Sequence, residues 1–131
     1  MALSLYDISV PVFSRGLGQL AHILEKGLAH AQAAGTDPSE LINARLAPDM
    51  FTLAGQIQSA SDAAIFGVAR IAGVTAPSFP DTETTYAELQ ARVAKTVEYL
   101  QTVDRSLIER NIVQTGFHSH EAVFGNVATS Q

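Results

Sequence analysis

The chain has 131 residues, 47% hydrophobic content and no cysteine, which is enough for one packed core and excludes disulfides and thiolate chemistry. Charged residues are 16%, below the usual quarter or so, leaving little wet surface and favouring association with other copies. A net charge of −5 with 8 scattered Lys and Arg excludes a nucleic-acid-binding stripe, and no apolar run reaches the roughly 18 residues of a membrane span.

Leu3 to Val12 has no preceding basic residue, and Arg15 follows it, the reverse of a signal peptide, so the expected compartment is the cytoplasm. Leu5, Ile8, Val12, Leu17, Leu20, Leu24, Leu28 and Ala31 recur mostly at steps of three and four, predicting a first helix over 4–34. Pro11 predicts a kink there or a start displaced to the proline itself. Ala34-Gly35 ends the helix, and Asp37-Pro38 opens a short helical turn to Asn43.

The stretch 43–73 reads as the central helix, beginning near Pro48 with Asp49 in its first turn and closing at Gly73. Met50, Leu53, Ala54, Ile57, Ala60, Ser61, Ala64, Val68 and Ile71 form one stripe. Phe51, Ile65, Phe66 and Ala69 form a second. Two apolar faces need two partners. The small residues along this helix permit close approach, so Gly55, Ser59 and Phe66 are expected at an interface with a second copy.

Residues 74–84 carry Pro77 and Pro80 and read as a loop. Thr85 to Glu88 has the spacing of a capping box, starting a third helix that ends near Val103, with Glu88, Arg92, Lys95 and Glu98 on its wet side. Asp104 begins a last short turn through Glu109. From Asn111 the helical period is lost, dividing the chain into a bundle over 1–110 and a divergent tail over 111–131. Three helices with a doubly apolar central one do not close a four-helix bundle.

The segments SLYDISVPVFSRGL, NARLAPDMFTLAGQIQSASD and GVTAPSFPDTETTYAELQARVAKTVEYL resemble a bacterial family of uncharacterised proteins in the DinB/YfiT-like superfamily, over about residues 1–109. The resemblance implies an all-α, up-down-down-up bundle, commonly dimeric. Many superfamily members hold a divalent metal through one histidine on the second helix and two on the fourth, and some are thiol-dependent transferases. Here the second helix has no histidine, and the closer family continues past this length into a fourth helix. The fourth helix is therefore expected to be missing or supplied by a partner chain.

Candidate chemistry is sparse. His118 and His120, with Glu121, have ligand types suited to zinc or nickel, but no cofactor is expected because no third histidine lies nearby. His22 and His30 read as surface or interface residues. Arg45, Asp49 and Gln56 fall near the start of the central helix, where Arg45 and Asp49 suit an ion pair and the three together suit a polar pocket. No Ser/His/Asp set, phosphate loop or carboxylate pair stands out. The sequence favours a self-associating or binding domain, a homodimer, over a metal-dependent enzyme.

Overall fold

A computed structural model describes residues 4–115, with side chains through Asn111. Five helices follow one another: α1 (Val10–Ala34), α2 (Pro38–Ile42), α3 (Leu53–Ala72), α4 (Tyr86–Thr102) and α5 (Arg105–Thr115). Pro11 settles where α1 begins. It lies in the first turn, where a missing N–H costs nothing, and the preceding residues 5–9 form turns instead of extending the helix. Ser9 closes them by donating its hydroxyl to the Leu5 carbonyl. At the far end Gly35 takes φ 68 and its N–H returns to the Gln32 carbonyl.

The start of the central helix differs from expectation. Pro48 opens a reverse turn, with the Met50 N–H on the Ala47 carbonyl, and α3 begins only at Leu53. Thr52 explains the choice, because its hydroxyl accepts the Gly55 N–H and caps the helix, a bond that Pro48 has no side-chain group to make. Asp49 therefore stands outside the helix and has no first-turn role.

The capping box at α4 forms nearly as read. Thr85 accepts the Glu88 N–H at 3.2 Å, while the Glu88 carboxylate takes the Thr84 N–H instead of that of Thr85. Thr85→Ala should lower stability by about 1 kcal/mol, read as a shift in the urea midpoint at unchanged slope.

After α4 the chain departs from the expected short turn. The helix α5 continues for 11 residues through the 110–111 junction. Asp104 starts it, its carbonyl accepting the N–H groups of Leu107 and Ile108. Ile108 is fully buried and α5 lies against α3, so this chain itself occupies the start of the fourth bundle position.

Side-chain contacts fix the helix directions. Gly27, late in α1, faces Tyr86 at the start of α4, so these helices are antiparallel. Phe13, early in α1, faces Gly67, late in α3, so these also run opposite ways. The parallel neighbours α3 and α4 share a buried hydrogen bond, Ser61 to Thr96 at 2.8 Å. With α5 turning back beside α3, the topology is up-down-down-up. Its core is built by Leu17 and Leu24 of α1, Ile42 of α2, Ile57 and Val68 of α3, and Leu89, Val93 and Leu100 of α4. Ile65 and Ala69, from the second apolar set of the central helix, are buried too, whereas Phe66 stays partly exposed.

Candidate functional site

The segment between α2 and α3 folds back on itself. The Leu53 N–H reaches the Ala44 carbonyl at 3.1 Å, closing the loop at its ends, and Arg45 donates from Nη1 to the Met50 carbonyl at 2.8 Å across its middle. Beside it opens a groove of about 400 Å³ lined by Leu41, Ala44, Arg45, Leu46, Met50, Phe51, Leu53 and Gln56. Large apolar groups remain in water there: Leu46 is 92% and Phe51 62% exposed. Of the three residues expected to share a polar pocket, Arg45 and Gln56 line this groove, and Asp49 is exposed on the turn. The expected Arg45–Asp49 ion pair is absent among the described residues, since Arg45 turns to a backbone carbonyl.

The outer side of α3 begins next to this groove. Gly55 is half-buried under Phe51, and a Cβ at Gly55 would stand 3.1 Å from the Phe51 Cβ. Ser59 and Ala63 are exposed, and Phe66 keeps 39% of its surface in water. Positions 55, 59 and 66 lie within about 40° of one another around a helix of 3.6 residues per turn, so they form one strip.

A third feature was invisible in the helical pattern. Arg92, expected on the wet side of α4, is 2% exposed. Its Nη2 meets Asp62 of α3 at 2.9 Å. Its Nη1 is shared among Asp81 at 2.9 Å, Glu83 at 3.0 Å and the Pro80 carbonyl at 3.2 Å, while Nε is buried without a partner. Gln58 adds a bond to Glu83. Burial acts to raise the Glu83 pKa, but the bonds from Gln58, its own amide and Arg92 outweigh it and leave the carboxyl more acidic than usual. The arrangement ties residues 80–83 to both α3 and α4. It is a structural hub, because the guanidinium is already committed to protein acceptors. A cue lay in the carboxylates at 81 and 83 shortly before the helix, but which arginine they meet depends on the tertiary path.

At the opposite end, Arg105 of α5 bonds to Asp7 and Ser4 and stacks its guanidinium 4.7 Å from the Tyr6 ring centre. The Arg105 bond, with that of Ser4, holds the Asp7 carboxyl below its ordinary pKa.

His118, His120 and Glu121 lie outside the described residues. His22 and His30 are exposed on α1, with His22 Nδ1 4.0 Å from Glu25. Among the described residues no group of three His, Asp or Glu side chains could hold a metal ion, the carboxylates of Asp62, Asp81 and Glu83 being taken up by Arg92.

Comparison with known proteins agrees with the bundle. A family model described as a domain of unknown function, DUF1993, matches residues 5–124. No curated protein matches the chain. A crystal structure of a DinB family member protein from Shewanella denitrificans is similar at 42% identity and a TM-score of 0.77, over 80% of this chain and 60% of that one. The chain thus spans less than two thirds of that protein's length. With a family model matched over most of its residues and a solved relative of the same architecture, the chain belongs to the DUF1993 family within the DinB-like superfamily.

Proposed function

We propose that the protein is a self-associating helical-bundle module that forms a homodimer through the outer side of α3. The observation that carries this reading is Phe66, a large apolar side chain left 39% exposed on the same strip as Gly55 and Ser59. Small residues allow a second helix to approach closely, and the aromatic ring supplies the apolar area that close approach buries. Low charge content across the chain points the same way. The module acts by association.

Sedimentation equilibrium at micromolar concentration should give a dimer, and Phe66→Asp should give a folded monomer of unchanged helical content. A wild-type monomer would overturn the reading, and a dimeric Phe66→Asp would move the contact elsewhere. Gly55→Glu is the weaker probe, because any side chain at Gly55 also displaces Phe51. Metal analysis of untagged protein should find no stoichiometric ion, and zinc or nickel should leave the melting temperature within 1–2 °C, a small shift by the usual linkage.

A further inference from the structure

The groove between α2 and the start of α3 lies beside the proposed dimer strip. We propose that it is a binding site for an apolar carboxylate, an aromatic or medium-chain aliphatic acid, whose carboxylate pairs with Arg45 while its hydrocarbon part lies against Leu46, Met50 and Phe51.

Four observations carry this. The volume, about 400 Å³, falls within the roughly 300–1,000 Å³ of small-molecule sites. The walls are shaped before any ligand arrives, since the loop is tied at Ala44–Leu53, Ala47–Met50 and Arg45–Met50. Leu46 and Phe51 face water although the chain has a buried core elsewhere, so an apolar occupant removes area the fold leaves exposed.

Charge selects the kind of occupant. In a chain of net charge −5, the one charged residue lining this groove is an arginine. Only Nη1 of Arg45 is engaged, with a backbone carbonyl, and no carboxylate lies at ion-pair distance from it among the described residues. A guanidinium carries five N–H donors and suits a carboxylate in two-point contact. Gln56 offers a second polar group at the same opening. An alkyl cation would meet repulsion here, and a neutral alcohol would leave the guanidinium unpaired.

The test uses the full chain and three probes of equal chain length, decanoate and decylammonium below their micelle concentrations and decanol below its solubility limit, followed by titration calorimetry. Decanoate should bind saturably at one site per chain, at least tenfold tighter than decanol. Arg45→Gln should lower decanoate affinity at least tenfold and leave decanol unchanged. Arg45→Glu should reverse the preference in favour of decylammonium. Arg45 is exposed, so neither variant disturbs the core, and circular dichroism checks that both fold. Equal affinity for decanoate and decanol, or unchanged decanoate affinity in Arg45→Gln, would overturn the proposal. So would dissociation of the dimer by decanoate together with its loss in Arg45→Gln, because the groove would then be filled by a second copy. A Phe66→Asp monomer that still binds decanoate supports the site and keeps it separate from the dimer contact.

Discussion

Arg92→Leu is expected to lower the unfolding free energy by about 3 kcal/mol, near the bottom of the range for breaking a buried ion pair. Leucine fills much of the space, but Asp62, Asp81 and Glu83 are left facing one another without their shared cation. Asp81 can turn to water; Glu83 is the most enclosed of the three and bears most of the loss. Arg92→Lys should recover less than half, because one ammonium cannot reach Asp62 from one side and the 80–83 segment from the other as the two terminal nitrogens do. Urea unfolding of the three proteins at pH 7 checks both values.

The same hub sets an acid dependence. Because Glu83 is more acidic folded than its ordinary 4.5, its contribution is fully present above that value and is lost as pH falls through the lower folded value. Wild-type stability should therefore decline below about pH 4.5, and Arg92→Leu should flatten that part of the decline. An identical slope in the two proteins would mean that other carboxylates dominate acid unfolding.

Gly73→Ala is the second large effect, about 2–3 kcal/mol. Gly73 closes α3 with φ 70, a conformation costing an L-residue roughly 1–2 kcal/mol. In addition, a Cβ would fall within van der Waals overlap of the Asn111 side-chain amide, which donates to the Ile71 carbonyl at 2.8 Å. The substitution thus strains the turn and dislodges the bond by which α5 caps α3, worth about 1 kcal/mol. Gly35 provides the internal control. It has nearly the same φ, 68, with open space around it, so Gly35→Ala should cost the conformational part alone. The difference between the two, measured by thermal unfolding, isolates the Asn111 contact. Equal costs would show that Asn111 moves away freely.

These residues also explain what the sequence could reveal. Helix ends governed by a single turn were legible: Gly35, Asp37, Gly73 and the Thr85–Glu88 box act through neighbours a few residues away. Pro48 misled because proline fits equally the first turn of a helix and the second position of a reverse turn, and only Thr52, four residues on, decided between them. Arg92 was placed on the wet face because periodicity assigns charge to water, and its partners come from positions 62, 81 and 83, which the helical wheel of α4 does not contain. The helix α5 was cut short at Glu109 because Arg105–Thr115 has few apolar residues, and its packing against α3 outweighs that weak pattern. Of the proposed site, Arg45 and Gln56 were marked in advance. Of its apolar walls, Met50 and Phe51 were read instead as the first turn of a helix, on separate faces, and Leu46 was not marked at all.

The parallel placement of α3 and α4 requires residues 73–85 to travel back along the bundle, and Arg92 grips this strap at one end only. Between Thr75 and Ser78 the side chains at both ends face water, while 80–83 are held by the guanidinium. The chain can therefore be lengthened, opened or given new termini between Thr75 and Ser78 with the bundle intact, whereas a single residue inserted between Asp81 and Glu83 would throw their carboxylates out of step with Arg92.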